Sequence, residues 1–112
     1  MQDMNPVPTA SLPTLVLIHG LFSSPLEFAL TSQTLRSRGV SFDCLRIPGY
    51  TLADRSRPST WRDWVHAASA ALDARYGPEE PIVRGGLCVG GALAIALAAE
   101  ALPQWVCGVA VL

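Results

Sequence analysis

Leu15-Val16-Leu17-Ile18 is a short apolar run without polar alternation, the pattern of a strand buried on both faces. It gives way to His19-Gly20-Leu21-Phe22, and the pattern then turns helical. Ser24 can cap, Pro25 suits a first helical position, and Glu27 stands where a capping box would close. This helix is predicted to run to about Arg38, with Gly39 as its left-handed stop. Val40 to Ile47 is a second strand candidate, followed by Pro48-Gly49-Tyr50 and a loop of turn formers and charges through Ser59. Thr60, with Asp63 three residues on, opens a second capped helix. Its Trp61, Trp64, Val65, Ala68 and Leu72 share one face and are predicted to be core, and Gly77-Pro78 ends it. Pro81 to Gly86 is a third strand, Gly90 to Leu102 a third helix closed by Pro103, and Trp105 to Leu112 a fourth strand.

The order β-α-β-α-β-α-β predicts an α/β fold, a parallel sheet of about four strands with helices on both faces. Residues 1–13 read as a loosely ordered, proline-rich lead and residues 14–112 as one domain. Half of the 112 residues are hydrophobic and 15% are charged, enough for a packed core though not for that of a large enzyme. The net charge of −1 is scattered, which gives no case for a nucleic acid or an anionic membrane as partner. Cys44, Cys88 and Cys107 are widely spaced, with no C-x-x-C pair and no Cys/His cluster. No metal, no cofactor and no disulfide framework is expected, and free thiols point to a reducing, cytoplasmic compartment. The first 13 residues lack the basic start of a signal peptide, and no apolar run is long enough to span a membrane.

Candidate chemistry lies in Gly85-Gly86-Leu87-Cys88-Val89-Gly90-Gly91. A nucleophile at a sharp strand-to-helix turn needs small neighbours two residues either side, and Gly86 and Gly90 supply them about Cys88. Such a turn lifts the sulfur above the sheet beside a helix N-terminus, where a thiolate is stabilised. Two rival readings fail: there is no G-x-G for a dinucleotide fingerprint, and Gly91 stands where a P-loop needs lysine. An oxyanion needs two N–H donors. Val89, after the nucleophile, supplies one, and Leu21 in the loop after the first strand is the expected second, with Phe22 beside it.

Other reactive residues have plainer explanations. His19 and Gly20 are expected to support the oxyanion loop, not to act as base. His66 reads as a partly exposed helix residue, Cys44 and Cys107 as strand packing, and Arg55, Arg57 and Arg62 as a solvated loop and helix start.

From Leu15 to Leu112 the chain resembles the α/β-hydrolase superfamily in its H-G loop, its P-G-Y stretch, its tryptophan-bearing helix and its elbow, in that order. The front half is similar to small carboxylesterases and monoacylglycerol lipases. The elbow has Cys where esterases have Ser; G-x-C-x-G-G-A-L-A is similar to dienelactone hydrolases, and G-x-C-x-G-G to polyhydroxyalkanoate synthases, two families that use cysteine. The resemblance implies the strand order second, first, third, fourth, with the fourth strand an open apolar edge that invites self-association or a partner chain. It implies an ester or thioester hydrolase acting on a small acyl substrate. The alternatives are an acyltransferase of the polyhydroxyalkanoate synthase kind, and a non-enzymatic pseudoenzyme or split-protein half.

The family's acid and histidine follow the nucleophile along the chain. The 24 residues after Cys88 contain Glu100 and no histidine. A family-type triad is therefore expected to need about a hundred further residues. Weak or no turnover is expected of this chain alone, as a fragment, a truncated product or one piece of a split protein.

Overall fold

The computed structural model describes residues 13–52, 59–77, 80–100 and 106–111, with the side chains of Val106 and Cys107 excepted. Its strands are β1 (Thr14–Ile18), β2 (Phe42–Cys44), β3 (Ile82–Gly86) and β4 (Val106–Val111), and its helices α1 (Ala29–Ser37), α2 (Trp61–Arg75) and α3 (Val89–Glu100). The four strands form one sheet in the order β2-β1-β3-β4, all parallel. Leu15 lies opposite Phe42 on one side and Val83 on the other, so β1 is an inner strand. The chain runs outward from β1 to β2, then reverses to β3 and β4. Right-handed crossovers then place α1 on one face and α2 and α3 on the other.

Burial follows the two-residue period of β1. Val16 and Ile18 join a cluster with Leu45, Ile47, Tyr50, Val65, Ala68, Leu72, Ile82, Leu93, Ala94 and Leu97. Leu17 is also buried but lies outside that cluster, as does Phe28 just before α1. A continuous apolar run is what a strand covered on both faces requires.

Several boundaries differ from the sequence reading. The first helix opens as a 3-10 turn, Pro25–Phe28, before α1 begins. Ser24 caps it by accepting the Leu26 N–H at 3.3 Å, but Glu27 does not close a box on Ser24; its carboxylate turns to Gly20 instead. Gly39 does take the left-handed stop, at φ +71°. β2 has three residues, not the eight from Val40 to Ile47, because both ends of that stretch pair elsewhere. The Val40 N–H closes the end of α1 on Leu35 O, and the Ile47 N–H donates to Thr51 Oγ1.

α2 has the full capping box, Thr60 Oγ1 taking the Asp63 N–H and Asp63 taking the Thr60 N–H. Val65, Ala68 and Leu72 are buried as the spacing predicts, whereas Trp61 is 53% exposed. Trp61 sits in the first turn, before the helix meets its neighbours, and the Arg62 guanidinium covers its ring at 4.6 Å. Trp64 is held by its indole N–H, which donates to Ser59 Oγ and Gly49 O. His66 is exposed. α2 ends at Arg75 with Tyr76 as its cap, and Gly77 is not in the left-handed region. α3 begins one residue earlier than predicted, at Val89. The predicted stop at Pro103, the lead up to Leu12, Arg55, Arg57 and the Cys107 side chain lie outside the described residues.

The C-terminal end of α2 is tied to the β2 edge through Asp43, whose carboxylate accepts from Arg75 Nη1 and from Tyr76 Oη. On the opposite edge, Val109 and Val111 of β4 are exposed. No described helix is long and apolar enough to cross a membrane.

Candidate active site

The order of strands reverses between β1 and β3, and the loops leaving their C-terminal ends face each other there. In open α/β sheets such a reversal is where a crevice forms. The loop after β1 carries His19 to Ser23; the turn after β3 carries Leu87 and Cys88.

β3 passes into α3 through only those two residues, and Cys88 takes φ +59° to make the turn. A non-glycine residue in that region is strained by about 1–2 kcal/mol, held only by what surrounds it. The surroundings are close. The Leu87 N–H donates to Ile18 O at 3.1 Å, the Gly90 N–H to Leu87 O, and the Gly91 N–H to Cys88 O. A Cβ on Gly86 would stand 2.2 Å from the Gly90 carbonyl carbon, so the strand-to-helix bend itself requires that glycine. A Cβ on Gly90 would stand 2.2 Å from Ile18 O and 2.4 Å from His19 O. The second glycine is thus required by β1, against which α3 starts. A Cβ on Gly91 would stand 2.7 Å from a Val111 methyl, so this glycine lets α3 sit close on β4. The result is an exposed Cys88 beside the first turn of a helix, whose Val89 N–H has no intrahelical partner by position.

The loop after β1 is held from three directions. His19 is fully buried, and its Nδ1–H donates to Gly20 O at 2.7 Å, since a carbonyl can only accept. Nε2 pairs with Thr51 Oγ1 at 2.8 Å, and that oxygen in turn accepts the Ile47 N–H. Both ring nitrogens are engaged, and neither partner is the Cys88 thiol. Tyr50 stacks on the His19 ring and donates its hydroxyl to His19 O at 2.7 Å. The Glu27 carboxylate accepts the Gly20 N–H, with its oxygens at 3.2 and 3.4 Å. Gly20 is buried against the elbow, its Cβ position 3.7 Å from Leu87 O. Beyond it Leu21 and Phe22 are exposed, Phe22 at φ +61°. Among the described residues the Leu21 N–H donates to no backbone carbonyl. Tyr50, Thr51 and Glu27 were not recognised as part of this arrangement from sequence. The Pro48-Gly49-Tyr50 turn was the one available signal for the first two.

Both tyrosines of the sequence carry phenol groups pushed up to about 12. For Tyr50 burial is the largest cause, followed by the negative charges of Cys88 and Glu27; for Tyr76 it is burial, then the hydrogen bond and charge of Asp43. Raised folded-state values mean that the folded protein holds these protons more tightly than the unfolded chain. The resulting stability is complete below the ordinary tyrosine range, about pH 10, and is lost as pH rises through about 12. Tyrosinate absorbance at 295 nm is therefore expected to stay flat through about pH 10.5 and to rise together with unfolding. A reversible rise centred at pH 10 in the folded protein would contradict the buried phenols.

Among the described residues no three His, Cys, Asp or Glu side chains group as a metal site. No protein-family model and no curated protein matches the sequence. Solved structures do. An extracellular alpha/beta-hydrolase from a Paenibacillus species superposes with a TM-score of 0.76 at 18% identity, covering 89% of this chain and 40% of that one. A thioesterase from the prodiginine biosynthetic pathway of Streptomyces coelicolor gives 0.65 at 23% identity, covering 88% and 37%. Polyneuridine aldehyde esterase gives 0.68 at 21% identity, covering 88% and 39%. The chain spans about 40% of the length of these structures. With its strand order, its parallel registers and these superpositions, the chain has part of the α/β-hydrolase fold.

Proposed function

We propose that this chain is the nucleophile-bearing part of a carboxylic ester or thioester hydrolase that works through an acyl-Cys88 intermediate. The observation that carries this reading is an exposed Cys88 at φ +59° on a two-residue turn that abuts the Gly20–Leu21 loop. The Cys88 thiolate attacks the acyl carbonyl, and the oxyanion that forms is held by the Leu21 and Val89 N–H groups. As that intermediate collapses, the carbon–oxygen or carbon–sulfur bond to the leaving group breaks. The alcohol or thiol departs with a proton, and the acyl group remains on Sγ as a thioester. Attack by water on that thioester releases the acid and returns the thiol.

In this reading His19 is not the base, because its ring nitrogens pair with Gly20 O and Thr51 Oγ1 and not with Cys88. Proton transfer from the thiol and from the attacking water needs a general base in contact with Cys88. In this reading acylation of Cys88 outruns hydrolysis of the acyl-thioester. A nucleophilic thiol of this kind fits a reducing, cytoplasmic setting.

The test is a burst experiment with p-nitrophenyl butyrate, followed by mass spectrometry of the acylated peptide. About one equivalent of p-nitrophenolate per chain is expected, with butyryl on Cys88 and none in Cys88→Ala. Cys44 is an internal control. It is half-buried on β2, and burial, with the neighbouring Asp43, raises its thiol above the ordinary range. Equal acylation of Cys44 and Cys88, or no adduct on Cys88, would refute the assignment.

A further inference from the structure

Glu27 stands in the first turn after the β1 loop, on the exposed side, and among the described residues it belongs to no ion pair. Its carboxylate instead reaches back seven residues to the Gly20 N–H. We infer that Glu27 is a positioning residue for oxyanion stabilisation, fixing the Gly20–Leu21 segment so that the Leu21 N–H points at the acyl oxygen. The inference rests on the reading of Cys88 and Leu21 as the reacting site.

Two successive planar peptides, His19–Gly20 and Gly20–Leu21, set the direction of the Leu21 N–H. In the His19–Gly20 peptide, the carbonyl accepts the Tyr50 hydroxyl and the N–H is taken by Glu27. In the Gly20–Leu21 peptide, the carbonyl accepts the His19 Nδ1–H at 2.7 Å and the Ser23 N–H at 3.2 Å. The Leu21 N–H points opposite to that carbonyl, so its direction is set by the clamps on Gly20. Gly20 alone has no side chain to restrain its backbone. Tyr50 and His19 hold the two carbonyls from the buried side. Glu27 is the one clamp on an N–H, applied from the solvent side. Without it the Gly20 N–H loses its partner, and the first peptide is held at one end.

Two reactions of the same thiol separate positioning from folding. Alkylation by iodoacetamide displaces iodide at a saturated carbon and forms no oxyanion. Acylation by p-nitrophenyl butyrate forms one. The measured quantity is the ratio of the two rate constants at Cys88 in the full chain. Glu27→Ala is expected to lower acylation about 10-fold or more while alkylation stays within about 2-fold, a share of the 10²–10³ effect of deleting an oxyanion donor. Glu27→Gln keeps an acceptor oxygen for the Gly20 N–H and is expected to stay within about 3-fold of the parent. An unchanged ratio in Glu27→Ala, or a Glu27→Gln ratio as low as that of alanine, would overturn the inference. A parent Cys88 that acylates no faster than a small thiol matched for alkylation rate would instead overturn the hydrolase reading itself. The two failures are therefore distinct.

Discussion

Gly90→Ala is expected to destabilise the fold by more than about 3 kcal/mol, a large share of the stability of a chain of this size. The added methyl would meet Ile18 O at 2.2 Å, His19 O at 2.4 Å and Ile18 C at 2.8 Å. All three are backbone atoms of a central strand or of the residue that follows it, and cannot swing aside as a side chain can. Relief requires lifting α3 off β1, which also breaks the Leu87–Ile18 hydrogen bond and exposes Leu93, Ala94 and Leu97. Gly86→Ala is expected to be as severe, because its methyl would overlap the Gly90 carbonyl. Two other glycines calibrate the scale. Gly91→Ala would meet a methyl of Val111, an exposed valine at the sheet edge, at 2.7 Å and Gly86 O only at 3.2 Å, and is expected to cost less. Gly39→Ala meets nothing within 4 Å and carries only the penalty of φ +71°, about 1–2 kcal/mol. Urea unfolding followed by far-ultraviolet circular dichroism gives the ranking directly. Gly90→Ala within about 1 kcal/mol of the parent would mean that α3 does not start against β1.

Cys88→Gly is expected to have opposite effects on chemistry and stability. Acylation by p-nitrophenyl butyrate disappears with the thiol. Stability should hold or rise by up to about 1 kcal/mol, because glycine occupies φ +59° without the steric penalty. Part of that gain is offset by the greater freedom of glycine in the unfolded chain, about 0.5–1 kcal/mol. The Cys88 side chain is exposed, so little packing is lost with it. A residue that weakens the fold by its presence is what a strained functional position looks like. Loss of more than about 1 kcal/mol in the glycine variant, by the same urea measurement, would show that Cys88 serves the fold after all.

The sheet and the elbow were legible because each depends on a pattern with few alternatives. The uninterrupted apolar run at Leu15–Ile18 belongs to an inner, covered strand, and the β-α alternation leaves few parallel topologies. Gly86 and Gly90 about Cys88 announced a sharp bend, although the reason for Gly90, the backbone of β1, is a contact between distant segments. What escaped the sequence were choices between competing hydrogen bonds. Glu27 had two N–H groups within reach, that of Ser24 in a capping box and that of Gly20, and took the second. Ile47 had a strand neighbour or Thr51 Oγ1 to pair with and took the hydroxyl, which shortened β2. Trp61 obeyed helical spacing, but spacing does not reveal where along a helix its neighbours begin.

The inner position of β1 has a consequence for synthesis. Of the four strands this one leaves the ribosome first, yet in the finished sheet one of its hydrogen-bonding edges belongs to β3, which emerges only after two helices and another strand. Until then Val16 and Ile18 lack part of their cover, and the backbone of Ile18 waits for Leu87 and Gly90. The nascent chain thus carries an unpaired apolar strand through much of its translation, the kind of segment that chaperones shield, and acquires its candidate reacting centre only when α3 arrives.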